Sequence, residues 1–198
     1  MAQVEAQTLL RLCEEAGRLC TFDLEATGLN GDYNAVLCVS IKPYHKDPII
    51  IAALPDQQAT VARKAVEVLS GFDCWISYYG KGYDVKMLRT VLLGAETRIN
   101  VPRTHHLDMY FSVVASKLNT SHRSQGHVNA WLYDPEKLEA KRMQKMTVGA
   151  NVWQRVVDVD MEVRMAALET LKERCMSDTI GLEGLYEKTK YLVSEVTR

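Results

Sequence analysis

The chain opens with hydrophobic residues at helical spacing and then changes to strict alternation. Residues 3–16 place four apolar side chains on one helical stripe: Leu9, Leu10, Cys13 and Ala16. This spacing predicts a short amphipathic lead-in helix. Over residues 19–26 apolar and polar side chains alternate, and the polar face is formed by Thr21, Asp23 and Glu25. The alternation predicts a first strand that ends at the Thr27-Gly28 turn.

Two further strands and a helix are predicted next. The apolar runs over residues 35–44 and 48–53 are separated by a short polar stretch, as in consecutive antiparallel strands. Together with the first strand they predict a β-meander. Pro55 then opens a helix for which Asp56 is a candidate N-cap.

The remainder of the chain is mainly helical around two more strand-like runs. The run CWISYY over residues 74–79 and the run over residues 104–109 predict strands, and residues 84–93 predict a helix between them. A long helical pattern begins near residue 160. Without repeats or linker composition, we expect one domain over residues 1–198, with the lead-in helix at its start.

Composition and charge exclude several classes of protein. The 198 residues are 47% hydrophobic and 25% charged, which is typical of a globular domain. A net charge of −1 excludes a strongly polyanion-seeking or membrane-seeking surface for the chain as a whole. Zinc spacing is absent among the five cysteines, which we expect to be reduced, buried thiols. No apolar run reaches membrane-spanning length, so we expect a cytoplasmic protein without a membrane partner.

Four carboxylates occupy positions that suit a metal site. Asp23 and Glu25 leave the same face of a strand with Cα atoms roughly 6.5 Å apart, so both can turn toward one cation. Asp84 begins the apolar face of its helix, where the helix N-terminus favours an anion. Asp178 interrupts an apolar seam and requires a basic partner, a raised pKa or a metal ion. Together they indicate two hard divalent cations acting on a phosphodiester.

Each acid taken alone has a simpler interpretation. An isolated D-x-E is common on the solvated face of an amphipathic strand. A carboxylate at a helix start is commonly satisfied by backbone amides, and an ion pair would account for Asp178. The metal-site hypothesis therefore depends on the four acids meeting in space.

Three segments resemble, in order, the three sequence motifs of the DEDD 3′–5′ exonucleases of the ribonuclease H-like superfamily. They are FDLEATGL (residues 22–29), YYGKGYDVKML (residues 78–88) and RCMSDTIGLEGLY (residues 174–186). Over residues 19–186 the chain is similar to standalone exonucleases akin to the exonuclease domain of family B DNA polymerases. This resemblance implies an α/β fold with a mixed five-stranded sheet flanked by helices.

The resemblance also implies a role for each acid. Asp23, Glu25, Asp84 and Asp178 would form the site of two Mg²⁺ or Mn²⁺ ions. Asp23 would bridge both ions, Glu25 and Asp178 would complete the site of the water-activating ion, and Asp84 would act largely through coordinated water.

Substrate-binding residues are implied beside the acids. Thr27, Gly28 and Leu29 would line the pocket of the terminal nucleotide, by backbone contact and by wedging against the last base. Tyr83 and Lys145 are further expected contacts, Lys145 because relatives carry a lysine shortly before the Trp153 segment. For Thr27 and Gly28 a plain turn, and for Leu29 a core position, are the alternatives.

Two positions depart from the motifs. Relatives usually carry Tyr or His four residues before the final acid, where this chain has Arg174, which cannot act as a base. Arg174 is one helical turn from Asp178, so it could pair with that acid or contact a substrate phosphate. Tyr79 stands where relatives commonly place Asn, and its ring could supply a stacking surface.

A modest basic and aromatic tract over residues 117–145 could guide a single strand toward the acids, or could be a solvated face with ordinary core aromatics. His105, His106 and Asp108 end a predicted strand. We expect the two histidines to pack in the core or cap the strand end rather than to bind metal. Asp108 is expected either to hydrogen-bond to groups around the metal ligands or to cap the strand end.

The resemblance implies a metal-dependent 3′–5′ exonuclease that cuts DNA, preferably single-stranded, from its 3′ end into 5′-mononucleotides. It would act in replication or repair, with a polymerase or helicase as a further partner. Two alternatives remain open. One is an RNA-directed exonuclease or a ribonuclease H-like endonuclease. The other is a degenerate member that binds nucleic acid or a partner protein without cutting, which the arginine at position 174 favours.

Overall fold

A computed structural model describes residues 2–97, 99, 101–102, 104–133, 146–149 and 151–197. Its strands are β1 Leu19–Ala26, β2 Val36–Pro43, β3 Ile49–Ala52, β4 Cys74–Ser77 and β5 His105–Asp108. Its α-helices are α1 Ala2–Glu15, α2 Gln58–Leu69, α3 Asp84–Gly94, α4 Ala115–Lys117, α5 Gln125–Leu132, α6 Val152–Arg155 and α7 Met161–Thr189. Short 3₁₀ turns occupy Pro55–Gln57 and Lys190–Leu192, and a π-helical turn occupies Tyr110–Val114.

The strands form one mixed sheet in the order β3-β2-β1-β4-β5. The pairs β1–β2 and β2–β3 are antiparallel, which confirms the predicted meander. The pairs β1–β4 and β4–β5 are parallel. The mixed five-stranded sheet flanked by helices is thus confirmed, and its central strand is the one that carries the D-x-E pair.

Both faces of β1 are covered. On one face Phe22 packs in a core with Trp75 and with side chains of α2 and α3. On the other face α7 lies across β1 and β2, where the Thr21 hydroxyl donates to the Thr179 carbonyl and the hydroxyls of Ser40 and Thr179 are 2.8 Å apart. The polar face of this strand is therefore a packed surface rather than a solvated one.

Helix α7 carries the last acid to the sheet. The Asp160 side chain caps its start by accepting from the Glu162 backbone N–H at 2.8 Å. Further along, α5 is tied to it by the Asn129 amide, which donates to the Gly181 carbonyl, and by the Tyr133 hydroxyl, which donates to the Gly184 carbonyl. These contacts fix the rotation of α7 about its axis.

Two local expectations are wrong. Asp56 does not cap α2, because Pro55 starts a 3₁₀ turn that contains Asp56, and α2 begins at Gln58 without a side-chain cap. The strand in CWISYY ends at Ser77, because Tyr79 has a positive φ of 65° that leaves the extended conformation.

All five cysteines are buried free thiols, as expected. Among the described helices, none combines the length and the apolar character needed to cross a membrane.

Candidate active site

Three of the four predicted acids meet where α7 crosses β1. Asp23, Glu25 and Asp178 each offer a carboxylate oxygen within 4.8 Å of the others. The pairing of β1 with β2 shifts register between Glu25 and Ala26, and such a bulge re-aims neighbouring side chains. The strand and the helix thus bring together acids that are about 150 positions apart in the chain.

The three carboxylates lie in a poorly solvated place. Asp178 is 2% exposed, Glu25 is 8% exposed and Asp23 is half-buried. Like charges this close repel one another, and burial weakens the screening that water would supply. The group therefore requires positive charge close by.

Arg174 supplies one such charge. Its Nε donates to Glu25 Oε1 at 2.6 Å, and its Nη1 donates to the Met146 carbonyl at 2.9 Å. Its Nη2 is 3.9 Å from Asp178 Oδ2. The sequence suggested Asp178 as the acid that pairs with Arg174, whereas the shorter contact in the structure is to Glu25.

Glu25 is held at both carboxylate oxygens. Trp153 Nε1 donates to Oε2 at 2.8 Å, while the Arg174 guanidinium carbon lies 5.2 Å from the centre of the Trp153 ring. Burial raises the pKa of Glu25, and the charge and hydrogen bonds of Arg174 and Trp153 oppose that rise. The role of Trp153 depends on chain folding, since α6 is far from β1 in sequence.

Cys175 contacts Asp23. Its thiol donates to the Asp23 carbonyl oxygen at 3.3 Å and lies 3.7 Å from Oδ2. Neither this contact nor the Met146 carbonyl was anticipated. Helical spacing could have indicated the thiol, because Cys175 lies one turn before Asp178 on the same buried face.

Asp84 stands apart from the group of three. It is the first residue of α3 and is buried, and its Oδ1 accepts from the Leu24 backbone N–H at 3.1 Å. Burial raises the pKa of Asp84 from its ordinary value of 3.8 to about 7. Asp84 therefore lies beside β1 at Leu24, which is the residue between Asp23 and Glu25.

The raised pKa of Asp84 predicts a pH dependence of stability. Between about pH 4 and pH 7 the folded protein keeps a proton that the unfolded chain releases, so the free energy of unfolding falls as the pH rises through this window. The full loss is about 4 kcal/mol. Denaturation in EDTA should show wild type losing this stability relative to Asp84→Asn, which keeps the oxygen acceptor. Parallel pH profiles for the two proteins would contradict the prediction.

A cleft of about 380 Å³ adjoins Glu25 and is lined by Thr27, Gly28, Leu29, Tyr83 and Trp153 among others. The Tyr83 hydroxyl donates to the Gly28 carbonyl at 2.8 Å. A Cβ on Gly28 would lie 2.4 Å from Asn34 Oδ1, so this position admits only glycine without rearrangement. Leu29 is 82% exposed, and the alternative of a core position for it is therefore wrong.

The other predicted substrate contacts are Tyr79 and Lys145. Tyr79 is not among the residues that line this cleft, and its ring packs with Tyr110 and Phe111. Lys145 and the basic stretch around it, residues 134–145, lie outside the described residues. His106 packs within the sheet, with Nε2 2.7 Å from Ser77 Oγ.

The donor set fits a hard divalent cation. Carboxylate oxygens are the ligands that Mg²⁺ and Mn²⁺ prefer, and three converge here, two of them almost fully buried. The fit is better for Asp23 and Asp178 than for Glu25, whose two oxygens already accept from Trp153 and Arg174. Each oxygen keeps a second lone pair, so a cation could still use Glu25, but it would be repelled by the neighbouring guanidinium.

A sequence model of the RNase_H superfamily matches residues 20–189 of the chain. A search of curated protein sequences finds no match.

Solved structures share the fold at low sequence identity. The family B DNA polymerase from the hyperthermophilic archaeon Pyrobaculum calidifontis superposes with a TM-score of 0.68 at 16% identity, over 87% of this chain and 24% of the polymerase. The chain thus spans about a quarter of that polymerase. The Brucella melitensis NrnC bound to pGG gives a TM-score of 0.57 at 15% identity, over 87% of this chain and 74% of that one. A structure described as the apo form of the nuclease gives a TM-score of 0.55 at 16% identity, over 92% of this chain and 76% of that one.

Proposed function

Because the chain belongs to the RNase H superfamily, we propose that it is a metal-dependent 3′–5′ exonuclease that hydrolyses terminal phosphodiesters of DNA, preferably single-stranded, to 5′-mononucleotides. The observation that carries this proposal is the convergence of Asp23, Glu25 and Asp178. Three carboxylates this close repel one another, and the single charge of Arg174 offsets only part of that repulsion. Divalent cations would offset the rest, and nucleic-acid hydrolysis uses such cations.

Asp23, Glu25 and Asp178 would hold two Mg²⁺ or Mn²⁺ ions. When bound, such ions lower the pKa of a water and neutralise the charge that develops on the phosphate. Cys175 orients Asp23 through its thiol, and Trp153 orients Glu25. Asp84 is a buried acid beside the same strand and would contact the site through water.

The adjoining cleft would receive the terminal nucleotide. Thr27 and Gly28 line it directly after β1, and the exposed Leu29 side chain is available to wedge against a base. Tyr83 braces this turn through its hydroxyl. Arg174 cannot take a proton from water, so its part in catalysis is to neutralise Glu25 or a substrate phosphate.

The test is digestion of 5′-labelled single-stranded DNA, single-stranded RNA and pGG in Mg²⁺ or Mn²⁺. The proposal predicts a ladder of products that shorten from the 3′ end, with release of 5′-mononucleotides. Internal fragments at the earliest times would identify an endonuclease instead. Cleavage of the RNA substrates without cleavage of the DNA would identify an RNA-directed enzyme. A 3′-blocked oligonucleotide of the same sequence is the matched control.

One observation favours a second candidate, a member that binds nucleic acid without cutting it. Arg174 donates a hydrogen bond to Glu25 at 2.6 Å and another to the Met146 carbonyl, so its positive charge lies where a catalytic cation would bind. Tight binding of nucleic acid without any product in either metal would support this candidate and exclude the exonuclease. The cytoplasmic location, the role in replication or repair, and a polymerase or helicase partner remain predictions.

A further inference from the structure

Three aromatic side chains form an exposed surface, here called the aromatic platform: Tyr79, Tyr110 and Phe111. The rings of Tyr79 and Phe111 lie 5.4 Å apart at 31° to each other, and both meet the Tyr110 ring edge-on at 5.2 and 5.0 Å. Tyr79 and Phe111 are each 46% exposed. Two large rings thus lie side by side at the surface, each about half exposed and tilted by 31° to the other.

A single buried carboxylate holds the two backbone segments of the platform together. Asp108 is fully buried, and its Oδ1 accepts from the backbone N–H groups of Tyr79 at 2.9 Å and Tyr110 at 3.1 Å. Its Oδ2 accepts from the Lys81 backbone N–H at 3.0 Å. The platform is therefore preorganised, which lowers the entropy lost when a ligand binds to it.

The backbone of Tyr79 is strained. Its φ of 65° lies in the left-handed region, which is an outlier for a bulky residue. The ring passes over Gly82, where a Cβ would lie 2.7 Å from two ring carbons. Strain of this kind persists only where surrounding contacts enforce it, and it clusters at ligand-binding sites.

A tight turn joins the platform to the candidate active site. The Tyr79 carbonyl accepts from the backbone N–H groups of Gly82 at 2.9 Å and Tyr83 at 3.0 Å. Tyr83 lines the cleft beside Glu25, and Asp84 follows it. Only four residues thus lie between Tyr79, whose ring is exposed, and Asp84, the buried acid beside β1.

We propose that the aromatic platform binds single-stranded nucleic acid by stacking unpaired bases on the rings of Tyr79 and Phe111. This inference rests on the proposed nuclease function, and it names the substrate class and the residues that select it. Aromatic rings stack with every base, so the contact tolerates any sequence. Bases inside a duplex already stack on their neighbours and cannot offer their faces, so the platform discriminates against double strands. Asp108 is then a positioning residue for this surface.

The test measures binding rather than cleavage. Fluorescence anisotropy in EDTA, with a 5′-labelled single strand, compares wild type with Tyr79→Ala and Phe111→Ala. Loss of one stacked base should weaken binding about tenfold or more. Tyr79→Phe and Phe111→Tyr keep the rings and should bind like wild type. Tyr191→Ala is the matched control, because Tyr191 is exposed but lies in the 3₁₀ turn after α7.

Strands with a single abasic position show whether bases make the contact. For wild type, one abasic position should reproduce the loss caused by the alanine variants, and the variants should be insensitive to it. Wild-type binding that neither alanine variant weakens would overturn the platform and leave the nuclease proposal standing. Ring-dependent binding without cleavage in Mg²⁺ or Mn²⁺ would support the platform and overturn the nuclease proposal. A wild-type protein that binds no single strand in EDTA would overturn the platform, and cleavage in Mg²⁺ or Mn²⁺ would then decide the nuclease proposal by itself.

Discussion

Replacement of Asp23 by asparagine is expected to lower the rate of DNA cleavage by about a thousandfold or more. Asp23 is one of the three acids of the cluster, and asparagine keeps its size but removes the charge. Losing one carboxylate weakens cation binding and forfeits several kcal/mol of charge stabilisation in the transition state. Single-turnover cleavage of 5′-labelled single-stranded DNA measures the effect.

Stability separates loss of chemistry from loss of fold. With EDTA present, the free energy of unfolding of Asp23→Asn should equal or exceed that of wild type, because one of three mutually repelling charges is removed. Calorimetric titration should show weaker Mn²⁺ binding. Asp178→Asn should reproduce both results, whereas Asp47→Asn, at an exposed acid remote from the cluster in sequence, should change neither. Wild-type cleavage by Asp23→Asn would exclude this cluster as the catalytic site.

Replacement of Arg174 by glutamine is expected to destabilise the metal-free protein by about 3–5 kcal/mol, the usual cost of removing one partner from a buried ion pair. Glu25 is almost fully buried and would keep only its hydrogen bond from Trp153. Denaturant unfolding in EDTA measures the loss. Mn²⁺ should stabilise the variant more than it stabilises wild type, because a cation near Glu25 then meets no competing guanidinium.

Two further variants make the role of Arg174 specific. Arg174→Lys keeps the charge but loses the planar guanidinium that contacts both Glu25 and Met146. Its free energy of unfolding in EDTA should therefore lie between those of wild type and Arg174→Gln. Combining Arg174→Gln with Glu25→Gln removes both charges and should recover most of the lost stability. Equal stability of wild type and Arg174→Gln in EDTA would show that the ion pair contributes nothing to the fold.

The strands near the start of the chain were predicted well because their patterns are local. Alternation over residues 19–26 coincides with the bounds of β1, and the two following strands differ from their predicted bounds by one residue at each end. Each pattern depends on which face of a strand meets the core, and that is a property of neighbouring residues. The prediction that Asp56 caps α2 was wrong, because a 3₁₀ turn begins at Pro55, three positions before the helix, and residue preferences do not distinguish this turn from the first turn of an α-helix.

The candidate site was only partly predictable. Residue type and motif order indicated Asp23, Glu25, Asp84 and Asp178, because the sequence shows both the carboxylate side chains and the strand or helix pattern around each of them. Which acids converge was not accessible, and three of the four do. The partner of Arg174 also required the structure, because sequence spacing indicated Asp178, one helical turn away, whereas the shorter contact is to Glu25, 149 residues away.

Local spacing thus accounted for the meander and the bounds of its strands, and the resemblance implied the mixed sheet and the set of acids. The pairing of Glu25 with Arg174 and Trp153, the separation of Asp84 from the other acids, and the aromatic platform held by Asp108 came from packing. The reason is geometric: local patterns specify which face of an element is buried, but the rotation and crossing of α7 on the sheet specify which buried groups touch.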